Sequence, residues 1–190
     1  AHNAKVLVKE LKPILTLDEA MAAQSFVMPA KGITRGNASE AIANAPRKVK
    51  GSTETGQQEQ FYMEGQITYA VPREDGQLTL YSSTQHPDGN QREAAAALNL
   101  STNDVEVICR RMGGGFGGKE GNASIFSQSA ALAAFKLQKP VKLRVNRDDD
   151  MMITGKRHDF RIDYEVGYDD EGRILGADIT LLSRCGYSTD

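Results

Sequence analysis

Residues 113–118 read Gly-Gly-Gly-Phe-Gly-Gly, five of the chain's eighteen glycines in six positions. No helix or strand interior tolerates such a run, because each glycine loses more backbone entropy on ordering than any other residue. The run therefore predicts an ordered loop, and its flanks say what it joins. Before it, residues 104–109 alternate, with Val105, Val107 and Cys109 on one side and Glu106 and Arg110 off it, as a half-buried strand does. After it, residues 123–137 are rich in Ala, Leu and Phe and predict a buried helix. A glycine loop between strand and helix lets backbone amides approach a ligand closely, and the helix start adds unpaired N–H groups.

The rest of the chain predicts short elements in a mixed order. Residues 5–10 alternate as a strand does and residues 13–17 are extended. Thr16 and Glu19 form a capping-box pattern for a helix over residues 17–24, and residues 26–35 predict an extended arm that packs on something else. Asn37 and Glu40 cap a second short helix, ended by Pro46. Strands are predicted over 47–55, 60–71 and 78–83, with a turn at 74–76, then a helix over 88–98. Past the glycine loop come a strand at 141–145, a charged turn holding Arg147, Asp148 and Asp150, and a hairpin with arms 160–168 and 174–182. A further turn is read at 186–189. The predicted class is α+β, a lobe with a mixed sheet and antiparallel hairpins. Residues 1–35 read as the end of a preceding small domain plus a linker arm, and 36–190 as the first lobe of a larger domain that the chain holds only in part.

With 39% hydrophobic and 25% charged residues and a net charge of −2, the chain has no basic field for nucleic acid and no basic run interleaved with aromatics. No apolar stretch of about 18 residues predicts a membrane span. Cys109 and Cys185 read as reduced thiols of a cytoplasmic protein. His2, His86 and His158 have no metal-ligand spacing, and His86 and His158 read as structural residues.

Three readings of the loop compete. A tight connection needs only one or two glycines. A nucleotide-binding P-loop is nearly matched by Gly113, Gly118 and Lys119, but Glu120 stands where that loop needs a hydroxyl for magnesium. A ligand cradle is the third. Glu120 is either a helix-dipole partner or an acceptor for a substrate bearing N–H groups. Gln85 reads as a strand-end residue capping the following helix, and Phe116 as a core anchor for the loop.

Residues 111–120, Arg-Met-Gly-Gly-Gly-Phe-Gly-Gly-Lys-Glu, closely resemble the signature loop of the xanthine dehydrogenases, in the molybdenum-hydroxylase family. Residues 58–64, Gln-Glu-Gln-Phe-Tyr-Met-Glu, resemble a second segment of that family, with Met63 in place of a leucine. Ser83-Thr84-Gln85 resembles the corresponding turn of its bacterial members, and residues 147–158 resemble the stretch after its glycine-loop helix, with Lys156 and Asp159 standing where many relatives carry Gly and Pro. The resemblance runs from about residue 5 to residue 190.

It implies a molybdenum–molybdopterin cofactor and hydroxylation of hypoxanthine or xanthine, with electrons leaving through iron–sulfur (FeS) clusters and FAD to NAD on other domains or subunits. By the same resemblance, Gln85 hydrogen-bonds the metal's apical oxo group, and Phe116 with Gly115 and Gly117 lies against the molybdenum centre. Gln85 and Phe116 are thus the residues assigned to the metal, and Glu120 to the purine. The general-base glutamate is implied downstream of this chain, which alone is expected to be inactive. The implied partners are an FeS/FAD subunit, the rest of the large subunit and a purine, in an oligomeric whole enzyme.

Overall fold

The computed structural model describes residues 7–186. The elements run α1 (Leu17–Ala22), α2 (Ala38–Asn44), β1 (Arg47–Thr55), β2 (Ile67–Pro72), β3 (Leu78–Ser82), α3 (Pro87–Leu98), β4 (Val105–Ile108), α4 (Gly121–Leu137), β5 (Val141–Arg144), α5 (Arg147–Ile153), β6 (Phe160–Tyr168) and β7 (Ile174–Ser183). They fall into two units, one of residues 1–56 with 158–190, the other the continuous run 57–157. The class is α+β.

In the first unit β1, β6 and β7 form an antiparallel sheet, with β6 central and paired to β1 from Arg47↔Tyr168 to Thr55↔Phe160. Helix α2 packs on this sheet where two glycines lie opposite each other, Gly167↔Gly176. A Cβ at Gly167 would lie 2.6 Å from Ala45 Cβ, and one at Gly176 would lie 2.9 Å from Ala41 Cβ. The glycine pair thus makes the flat seat that a seven-residue helix with one buried side chain, Ile42, can occupy. Both predicted caps form: Thr16 Oγ1 accepts from Glu19 N and Asn37 Oδ1 from Glu40 N. Arg161 pairs with Asp18 at 2.8 Å, and Arg184 donates to Leu15 O and pairs with Asp159, tying α1 to the sheet.

The second unit is a four-stranded sheet in the order β4-β3-β2-β5, with β3 and β4 parallel and the other pairs antiparallel. Helix α3 is the crossover that the parallel pair requires. Its Ala94 and Ala95 meet Ala130, Ala131 and Ala134 of α4 over Ala70, Leu78, Leu80 and Val105, all buried. Small side chains let the two helices and the sheet approach closely. Beside this apolar core, Thr68, Ser82, Ser127 and Asn90 form a buried network at 2.9–3.1 Å.

Several predicted elements differ. The strand over 60–71 is confined to Ile67–Pro72, because Phe61 adopts φ 48° and Tyr62 and Gln66 turn their side chains into buried hydrogen bonds instead of a ladder. The turn at 74–76 is a single 3-10 turn with Asp75 at φ 55°. Helix α1 is two residues shorter than predicted, and α4 starts two residues earlier. The charged turn at 147–150 is a helix, α5, capped by Asn146, with Asp148, Asp149 and Asp150 in its first turn. Residues 7–10 form no strand; residues 5–6 of that predicted strand, and residues 187–189 of the predicted final turn, lie outside the described residues.

Candidate functional site

The glycine loop leaves β4 and returns through Lys119 to the start of α4. At its tip Gly118 N donates to Gly115 O at 2.7 Å, with Phe116 at φ 53° and Gly117 at φ 87° between them. A turn with two positive φ values costs glycine nothing, but holds a bulky residue in a left-handed conformation at roughly 1–2 kcal/mol. Phe116 is held so and is 73% exposed, so it is not the core anchor that one reading made it. A strained, solvent-facing aromatic at a loop tip is the kind of outlier that marks a ligand site.

Gln85, which follows β3, holds the tip. Its Oε1 accepts from Gly117 N at 3.0 Å and Lys119 N at 3.2 Å, while its own N–H donates to Lys119 O at 2.8 Å. It does not cap α3, whose N-cap is His86 with no side-chain bond. Because the amide oxygen is used twice by the loop, the amide nitrogen is left to donate; it has no acceptor among the described residues. Gly115 packs directly on it: a Cβ there would lie 2.4 Å from Gln85 Oε1.

Lys119 turns inward. Its Nζ donates to Ser83 Oγ at 2.7 Å and to Met112 O at 2.5 Å and lies 4.6 Å from the centre of the Tyr62 ring. Burial pushes its ammonium pKa down, opposed by the charges of Glu64 and Asp150. A P-loop lysine must face the phosphates, so this orientation corrects the nucleotide-binding reading.

Beneath the loop lies a buried frame that sequence reasoning missed. Tyr62 Oη donates to Asp150 Oδ1 at 2.8 Å, and Gln66 Nε2 donates to both Tyr62 Oη and Gly118 O at 2.8 Å. Arg147 donates to Tyr62 O at 2.6 Å and lies 3.6 Å from Asp150. Burial and the Asp150 hydrogen bond push the Tyr62 hydroxyl pKa up. The available signal was Asn146 three residues before Asp149, a helix cap that puts Arg147 and Asp150 on one turn.

Glu120 stands at the N-cap position of α4, exposed, with φ −82° and ψ −91° and no side-chain capping bond. Gln85, Gly115, Phe116, Gly117 and Glu120 are therefore gathered on one loop and its neighbouring strand end. His86 starts α3, and among the described residues no group of His, Cys, Asp and Glu is arranged to hold a metal by itself. Cys109 and Cys185 are free, and no helix of the described residues is long and apolar enough to cross a membrane.

Residues 20–190 match the molybdopterin cofactor-binding domain family. The chain is 40% identical over 191 residues to the xanthine dehydrogenase/oxidase of Gallus gallus and 39% identical over 188 residues to aldehyde oxidase 2 of Rattus norvegicus, covering 100% and 98% of this chain. It spans 14% of the length of each. Among solved structures, the aldehyde oxidoreductase of Desulfovibrio gigas superposes with a TM-score of 0.69 at 22% identity over 78% of this chain and 16% of that one. The CO dehydrogenase of Oligotropha carboxidovorans gives 0.65 at 22% identity over 76% of this chain and 18% of the other. The fold is thus that of a known architecture, and the chain belongs to the molybdopterin cofactor-binding domain family of the molybdenum hydroxylases.

Proposed function

We propose that residues 83–120 form one face of the molybdopterin site in an enzyme that hydroxylates hypoxanthine and xanthine. The observation that carries this is Gln85: its amide oxygen is occupied by Gly117 and Lys119 N–H groups, so its amide nitrogen presents two donors beside the exposed Phe116. The residues fit the group, because Gly117 faces open space and Gly115 lets the loop seat directly on Gln85, where any Cβ would collide with the Gln85 amide. When bound, the cofactor supplies the oxygen transfer and accepts the electron pair.

In this reading the chain's own residues position and select. Gln85 donates to the metal's ligand shell, the backbone of 115–117 lies against the cofactor, and Phe116 shields it from water. Glu120, exposed and without a capping bond or ion pair among the described residues, takes the purine N–H groups. The general-base glutamate lies elsewhere in the parent enzyme, FeS clusters and FAD pass electrons to NAD from other domains or subunits, and the 190-residue chain alone does not turn over. Residues 1–35 belong to a preceding small domain and its arm, and 36–190 to the first lobe of the cofactor domain; the exposure of Leu11, Leu15, Phe26 and Ile33 supports an arm that packs on other parts of the parent.

A second reading, an aldehyde or N-heterocycle hydroxylase, is favoured by the 39% identity to an aldehyde oxidase, which stands next to 40% for a xanthine dehydrogenase/oxidase. Kinetics of Glu120→Val in the full-length enzyme separate the two. A fall of about 100-fold or more in kcat/KM on xanthine, with aldehyde oxidation kept, is expected if Glu120 makes transition-state contacts worth ~3 kcal/mol. Equal activity of variant and wild type on both substrates would remove the purine assignment. Molybdenum near one per protomer is expected in the wild type.

A further inference from the structure

Five glycines in six positions cannot hold a fixed shape by themselves, yet residues 112–119 have one, and many of the bonds that fix it converge on one residue, Lys119. Lys119 closes the loop upon itself: from the loop's C-terminal end its Nζ reaches back 2.5 Å from the carbonyl of Met112 at the N-terminal end. Its second partner, Ser83 Oγ at 2.7 Å, itself donates to the same Met112 carbonyl at 2.9 Å. Its backbone does the rest, since the Lys119 N–H goes to Gln85 Oε1 and its carbonyl accepts from Gln85 N and Thr84 Oγ1.

The Lys119 side chain is 0% exposed, and among the described residues no carboxylate lies within salt-bridge distance of it. Burying an ammonium without a carboxylate partner is costly unless its donors are used. Two oxygens and the face of Tyr62 at 4.6 Å use them. A plain turn has no need of a buried cation.

We infer that Lys119 is the positioning residue of this site: its buried ammonium clamps Met112 to Ser83, fixes residues 112–119 as a closed cradle, and so aims the Gln85 amide and Phe116 before any ligand arrives. The inference rests on the cofactor reading for what the cradle receives, but not for the clamp itself.

The test uses the full-length protein and Lys119→Met, which keeps length and removes the ammonium. Hydrogen exchange followed by mass spectrometry is expected to show the amides of 113–118 exchanging at least about tenfold faster, with those of Ala94 and Ala95 in α3 unchanged. In the loaded fraction the Mo(V) electron paramagnetic resonance g values are expected to shift. A lysine that only stabilises the fold would lower the melting temperature and leave those g values where they are, and that result overturns the inference. So does loop exchange within about twofold of wild type.

If Lys119→Met does not fold, Ser83→Ala decides. It keeps the lysine and removes one of its two acceptors, and faster loop exchange is again expected; unchanged exchange overturns the clamp. A wild type that carries no molybdenum would sink the cofactor reading instead, and the exchange data would still decide whether Lys119 holds the loop.

Discussion

Gln85 shows how two chemically opposite demands are met by one amide. Its oxygen serves the loop and its nitrogen serves whatever lies outside it, so the two ends can be separated by substitution. Gln85→Glu keeps both acceptor bonds to Gly117 and Lys119 and loses only the donors; a melting temperature near wild type with reduced molybdenum content is expected. Gln85→Ala leaves both N–H groups without a partner, at about 1–3 kcal/mol for each that stays buried, and a lower melting temperature is expected as well. Gly115→Ala should resemble the second case, because its Cβ meets Gln85 Oε1 at 2.4 Å. Gly117→Ala has open space and suffers only from φ 87°, about 1–2 kcal/mol. From residue types alone Gln85 read as a helix cap, since the amides it accepts from lie 32 and 34 positions away. That the loop was ordered was legible; which side chains ordered it, Gln85 and Lys119, was not.

Elements with a strong local pattern were mostly legible in the sequence, α5 excepted, and the contacts that join distant residues were not. The hairpin β6–β7 and both N-caps depend on neighbours a few residues away, and they stand where predicted. Residues 60–66 look like strand by composition, but Tyr62 is claimed by Asp150, 88 positions on, and no periodicity carries that information. The seat of α2 is a second case, since Gly167 and Gly176 lie on different strands and only the pairing of β6 with β7 sets them opposite each other. Gly176→Val should unseat α2, costing about 1–3 kcal/mol, because its Cβ would press on Ala41 and Ala38 O. Faster amide exchange over residues 38–44, with β1 still protected, is the expected observation; unchanged exchange there would mean that α2 is held by something other than its seat.

At the scale of the molecule, acid sensitivity follows from Asp159. Its hydrogen bonds with Arg184 hold its carboxyl below the ordinary value of 3.8. A carboxyl depressed by folding contributes stability that is present in full above its unfolded value and lost as pH falls through its folded value. Wild type and Asp159→Asn should therefore differ at neutral pH and converge on acidification; urea midpoints from about pH 6 down to about pH 2 read this directly. A constant difference across that range would mean that the pair does not titrate with folding. Its partner Arg184 directly follows β7 in the same unit. The division into units was not legible, because β1 joins β6 across more than a hundred residues of chain. Within the unit 57–157 the chain departs and returns at one spot: Gln58 and Arg157 exchange backbone hydrogen bonds at 3.1 and 3.0 Å. A hundred residues carrying Gln85, the glycine loop and Glu120 are therefore joined to the remainder at two adjacent backbone positions. Such a segment is a cassette in covalent terms: it enters and leaves the rest of the chain through one pair of neighbouring junctions.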